Sequence, residues 1–201
     1  MSDPELAALA SSWWIALLFF AWGIAEATVQ PIVPDVGLVF LALATPAALG
    51  LPLAAAIAGG VAGALVLAIL HDRRPHTVDR ILALQPGLGA AGMHEARHRL
   101  ARRSWAAFAQ IGPGLPLKAW VVAYLLEHPR ASLATVATLA AVNRFTRIVP
   151  VVAAFAVVGA LARPLDLDAA PVALAYVIGW TAFYAAFWRA RRARGRPWEP
   201  L

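Results

Sequence analysis

Five charged side chains stand inside apolar stretches of this 201-residue chain. A charge at the centre of a membrane helix costs about 2.5–3.5 kcal/mol on insertion scales, so such residues are typical of functional sites. The acids are Glu26 and Asp35, and the bases are Lys118, Arg144 and Arg147. Arginine forks match phosphate oxygens, and carboxylates can exchange a proton. These residues therefore predict a substrate site on the three bases, with proton coupling through the two acids.

Burial disfavours the charged form of a carboxyl group, and a nearby arginine favours it. The sequence does not decide which effect prevails at Glu26 or Asp35. A carboxylate poised between the two effects can exchange a proton as its exposure changes. The sequence also leaves open which of the two acids pairs with Arg144 and which with Arg147.

Prolines and glycines break the same apolar stretches beside these charges. The first break lies between the two acids, and the second precedes the lysine. Proline cannot continue a regular helix, and irregular backbone at membrane depth is tolerated only where it lines a cavity or is packed in protein. The breaks therefore predict a functional cavity; a kinked helix with its acids at the water interface is the alternative. The helix-breaking residues are Pro31, Pro34, Gly112, Pro113, Gly114 and Pro116.

Composition predicts an all-α polytopic membrane protein with a single domain. The chain is 61% hydrophobic and 14% charged, and its mean hydropathy is +0.69. These values depart from soluble averages, and the apolar runs approach the roughly 20 residues that a membrane helix needs. There is no cysteine, which excludes disulfides and thiol chemistry.

Polar stretches and helix breaks divide the chain into segments. We expect an N-terminal lead over 1–12, one transmembrane domain over 13–188 and a basic cytoplasmic tail over 189–201. Within the domain we predict a broken hairpin at 13–49, a span at 53–70, a basic segment at 71–103, a second broken hairpin at 104–126, and spans at 131–160 and 171–188.

Arginine clusters set the expected orientation. The net charge of +6 comes from arginines concentrated in 71–103 and 189–196. The positive-inside rule places both segments, and hence the C-terminus, in the cytoplasm, and it accounts for the basic charge without nucleic acid. The two hairpins must then be re-entrant and enter from opposite faces. Inverted repeats whose broken helices meet near the middle of the membrane are a recurring transporter architecture.

A stripe of small residues lies on the predicted span at 53–70. Ala55, Gly59 and Gly63 repeat every four residues, which allows another helix to approach closely. The partner helix could belong to the same chain or to a second copy, so homo-oligomerisation is left open.

The two breaks resemble paired motifs of the DedA family, also called the VTT or SNARE-associated Golgi protein domain. The motif Glu26-x4-Pro31-x2-Pro34-Asp35 is similar to the acidic, proline-punctuated hairpin of that family. The stretch from Phe108 to Lys118 resembles its second hairpin, with a phenylalanine, a Pro-Gly and a base in that order. The resemblance covers roughly residues 15–160, and it extends to arginines in the following helix, here Arg144 and Arg147.

Two residues depart from the family pattern. Lys118 is the base nearest the second Pro-Gly, where the family often has arginine, and Asp35 replaces the common glutamate. The resemblance implies a lipid transporter of the bacterial inner membrane that uses no cofactor or metal. Bacterial members move undecaprenyl phosphate or phospholipid, coupled to protons, and eukaryotic relatives scramble lipids.

Two other functions are compatible with these residues. The buried charges could pair only to hold the helices together, as in a membrane organiser without transport. An intramembrane lipid enzyme would need a nucleophile or a metal set near the acids. Every histidine lies in a polar segment, which argues against the enzyme; these are His71, His76, His94, His98 and His128.

Overall fold

The computed structural model describes residues 3–29, 34–83, 88, 90–109, 115–162 and 169–194, and these residues form nine α-helices and no strand. The all-helical architecture predicted from the sequence is therefore confirmed for this part of the chain. Two short 3-10 turns, Pro46–Ala48 and Ser104–Ala107, connect helices. The helices are α1 (Asp3–Ala10), α2 (Trp13–Thr28), α3 (Asp35–Ala44), α4 (Gly50–Arg73), α5 (Pro75–Ala83), α6 (Ala90–Arg103), α7 (Leu117–Glu127), α8 (Leu133–Ala162) and α9 (Ala169–Arg194).

Two helices are long and apolar enough to cross a membrane. They are Gly50–Arg73 and Leu133–Leu161, which correspond to the spans expected at 53–70 and 131–160. The third expected span, 171–188, lies within α9, and its crossing of the membrane remains a prediction.

The first predicted hairpin contains two helices that flank a break. Helix α2 ends at Thr28, and α3 begins at Asp35. Pro34 is buried and stands immediately before α3, where a fixed φ of −66° suits a helix start. Pro31 lies outside the described residues.

The second predicted hairpin does not consist of two long apolar helices. Because the basic helix α6 continues to Arg103, only the 3-10 turn Ser104–Ala107 forms before the break. Pro116 then precedes α7 in extended conformation. The other breakers of this segment, Gly112, Pro113 and Gly114, lie outside the described residues.

Glycines bring α2 and α4 into backbone contact. A Cβ atom on Gly59 would overlap the carbonyl of Phe20, and one on Gly63 would lie 2.8 Å from the carbonyl oxygen of Ile24. Only glycine permits such an approach. The small-residue stripe on 53–70 therefore packs against a helix of the same chain. Homo-oligomerisation stays a prediction, and this stripe no longer offers the surface for it.

The two larger hydrophobic clusters of the bundle lie on either side of a polar layer. On α8, Leu139 and Ala140 belong to the cluster built with α5, α6 and α7. Ile148 and Val152 belong to the other cluster, built with α1, α2 and α3. Residues 143–147 lie between them, near the middle of α8.

Candidate functional site

The five charged residues predicted from the sequence are all buried. Glu26, Asp35, Lys118, Arg144 and Arg147 each expose 4% of their surface or less. They come from four helices, α2, α3, α7 and α8. We call this group the charge layer. The sequence indicated burial because each residue stands among apolar neighbours, and the structure brings most of them into defined pairs.

Glu26 and Arg144 form a buried ion pair. Nη2 of Arg144 donates a hydrogen bond to Oε2 of Glu26 across 118 positions of sequence. Helix α4 makes room for the guanidinium at Gly60, where a Cβ would lie 2.5 Å from Nε of Arg144. An alanine there would collide with the arginine, so the absence of a side chain is part of the site.

Asp35 and Arg147 interact across the α3–α8 contact. Arg147 acts electrostatically on the carboxylate of Asp35, which occupies the first turn of α3. The positive end of the helix dipole also favours a carboxylate at that position. Of the pairings left open by the sequence, Glu26 and Arg144 form a direct ion pair, whereas Arg147 acts on Asp35 electrostatically.

Lys118 joins the two helix breaks. Its Nζ donates a hydrogen bond to the carbonyl oxygen of Thr28 at 3.0 Å. Thr28 ends α2 just before the first break, and Lys118 lies in the first turn of α7, just after the second. A cation suits the C-terminal end of a helix, where carbonyl groups lack intrahelical partners. The described residues that flank the two breaks therefore meet at the charge layer.

Asn143 is a further residue of this layer, to which sequence reasoning gave no role. It is fully buried, and its Nδ2 donates to the carbonyl oxygen of Phe108 at 2.9 Å. The bond ties α8 to the segment that precedes the second break. The signal was present in the sequence, because a buried amide four residues before Arg147 shares its helix face.

Aromatic rings surround this connection. The ring of Phe108 lies 6.0 Å from that of Trp120 and meets the ring of Tyr124 edge-on at 5.9 Å, between ring centroids. Edge-on and tilted arrangements are favourable for aromatic pairs. The packing fixes the backbone of Phe108 where its carbonyl can accept from Asn143.

Helix α8 is apolar on its outward side and charged on its inward side. Phe145 is 60% exposed, while its neighbour Arg144 is 1% exposed. Further large apolar side chains on α8 and α9 are exposed to a similar degree, and they are Val157, Leu161, Leu174 and Ile178. Extended apolar surface of this kind marks contact with a partner or a membrane.

Chemically, the charge layer suits an anion. It holds three bases and two acids, and the arginines offer the planar donor fork that binds phosphate. Within the described residues no three His, Asp or Glu side chains lie together as a metal site would require. Among known proteins, no family model, no curated protein and no solved structure matches this chain.

Proposed function

We propose that this protein is a membrane transporter, a flippase or scramblase, for a lipid with a phosphate headgroup. The observation that carries the proposal is the charge layer: three bases and two acids, buried where two broken helices meet. A phosphate needs cations in a partly dry cavity, and here Arg144, Arg147 and Lys118 would supply them. A charged headgroup that crosses the membrane needs a polar binding site between two apolar regions.

Membrane residence is supported by two features. Two helices have the length and hydropathy of spans, and the outer surface of α8 and α9 is apolar. The finer arrangement is also part of the proposal: two re-entrant hairpins in inverted orientation, a cytoplasmic C-terminus, and an inner-membrane location as in the DedA family. The contact of Lys118, just after the second break, with Thr28, just before the first, supports this arrangement.

The ion pairs suggest how substrate and proton are coupled. Without substrate, Glu26 neutralises Arg144, and the charge of Arg147 acts on Asp35. A phosphate entering the layer competes for the arginines. Protonation of a carboxylate releases its arginine to the phosphate, and loss of the proton restores the ion pair and expels the lipid. The acids thus reset the site after each passage.

Reconstitution in liposomes tests this function. Movement of a fluorescent phosphate-headgroup lipid between leaflets would be followed with and without a pH gradient. We expect movement by the wild type and loss of it in Arg144→Ala and Glu26→Gln. Arg102→Ala, which removes an exposed arginine from α6, is the matched control and should retain movement.

The outcomes separate the alternatives. Movement that responds to the gradient indicates a proton-coupled flippase, and movement without a response indicates a scramblase. If neither phospholipids nor polyprenyl phosphates move, transport is refuted. The observation that the buried charges pair with protein groups would then favour a membrane organiser, in which these pairs only hold the helices together.

A further inference from the structure

The side chain of Asn143, which directly precedes Arg144 on α8, holds a buried oxygen. Its Nδ2 faces the carbonyl of Phe108, which can only accept a hydrogen bond, so the orientation of the amide is fixed. The remaining atom, Oδ1, has no hydrogen-bond partner among the residues that the structure describes. Buried polar atoms are almost always paired, so this acceptor calls for a donor from outside the bundle.

Asp35 holds a second buried acceptor. Oδ1 of Asp35 is also buried without a hydrogen-bond partner in the described part of the chain. Asn143 directly precedes Arg144 and lies one helical turn before Arg147, whose charge acts on Asp35. Both acceptors therefore belong to residues linked to the arginines that would hold a phosphate, Asn143 through its position on α8 and Asp35 through the charge of Arg147. A phosphate alone satisfies the bases but gives these oxygens little to accept.

The headgroup hydroxyl sets the class of phosphate. A headgroup that carries a hydroxyl beyond the phosphate makes that phosphate a diester. A diester with an uncharged headgroup carries one negative charge. A phosphomonoester carries about 1.5 to 2 negative charges at pH 7, and a phosphodiester with an ammonium group carries none overall.

Resting on the proposed function, we infer that the substrate is a monoanionic phosphodiester lipid whose headgroup bears hydroxyl groups, such as glycerol. The phosphate binds the arginines, and a headgroup hydroxyl donates to Oδ1 of Asn143. A second hydroxyl can donate to Oδ1 of Asp35. Sites with buried acceptors reject analogues that lack the matching hydroxyl, because the acceptor is then left unpaired.

Two lipids with equal charge test the inference in proteoliposomes. Phosphatidylglycerol and phosphatidylmethanol are both monoanionic phosphodiesters, and only the first carries headgroup hydroxyls. We expect phosphatidylglycerol to move about tenfold faster, in line with the loss of one hydrogen bond at a buried acceptor. Equal rates would overturn the inference and leave lipid transport standing. Movement of neither lipid would also overturn the inference, and the proposed function would fail with it only if polyprenyl phosphates did not move either.

Variants of Asn143 assign the preference to its oxygen. Asn143→Leu should reduce the preference to near unity while phosphatidylmethanol still moves. Asn143→Asp cannot donate to Phe108 but keeps acceptor oxygens, so it should retain the preference. If both variants lose the preference for phosphatidylglycerol over phosphatidylmethanol, the preference depends on the contact with Phe108. That result would overturn the role of the oxygen. Should Asn143→Leu fail to fold, the wild-type comparison still decides.

A water-soluble phosphodiester tests whether the substrate is a lipid or a free headgroup compound. Glycerophosphoglycerol carries the same headgroup chemistry without acyl chains. We expect none of it to leave proteoliposomes through the wild type. Efflux of this compound without movement of phosphatidylglycerol would identify a soluble substrate and overturn the lipid assignment.

Discussion

Replacing one member of the Glu26–Arg144 pair should destabilise the protein far more than replacing both. Each side chain is almost fully buried, with 3% and 1% of its surface exposed. Arg144→Met removes the guanidinium and keeps an unbranched chain beside Gly60. Glu26→Leu removes the carboxylate and keeps a similar volume. Either single change leaves the partner's charge buried without its counter-ion.

The burial of the pair sets the expected magnitudes. Removing one partner of a buried ion pair costs about 3–5 kcal/mol, whereas replacing both by apolar residues is often neutral or stabilising. The double variant should therefore lie within about 1 kcal/mol of the wild type, with a coupling energy of several kcal/mol. The ion pair Arg97–Glu127, with side chains 44% and 39% exposed, is the matched control. Its removal should cost at most about 1 kcal/mol.

Unfolding in mixed micelles of a mild and a denaturing detergent measures these free energies. The double variant should recover stability but not lipid movement, because the arginine that binds phosphate is gone. Additive losses in the double variant would show that the two charges do not interact. The burial on which the proposed site depends would be refuted if each single change lowered the free energy of unfolding as little as removal of the exposed pair does.

Three further outcomes concern the rest of the site. Gly59→Ala should cost about 1–3 kcal/mol in the same unfolding assay because its methyl meets a carbonyl; Gly50→Ala, with no atom within 4 Å, should change little. Lys118→Met should cost about 1.5–3 kcal/mol there, since it removes the charged hydrogen bond to Thr28. Asp35→Asn should keep lipid movement in liposomes but lose the response to a pH gradient; an unchanged response would assign the proton to another group.

The sequence was sufficient to predict which residues form the charge layer. Glu26, Asp35, Arg144 and Arg147 stand out because an ionised side chain in an apolar helix needs a partner. The glycine stripe was equally readable, since four-residue spacing fixes one helix face. These features are local, and each depends only on residues within a few turns.

The pairing within the layer could not be predicted, because it depends on distant segments. Glu26 and Arg144 are 118 positions apart, and helix rotation decides which acid meets which arginine. Lys118 contacts a backbone carbonyl, which has no sequence signature. Gly60 makes room for the Arg144 side chain, and this role depends on a residue 84 positions away in the sequence.

The buried ion pair of Glu26 and Arg144 also limits how tightly the protein can bind its substrate. A phosphate reaching Arg144 must replace Glu26, so the gain from the new pair is offset by the loss of the old one. Net binding is the difference between two similar interactions, and weak net binding is what allows release. A residue that held the phosphate without an internal competitor would retain the lipid. The Glu26 carboxylate is therefore as necessary to transport as the arginine that binds the headgroup.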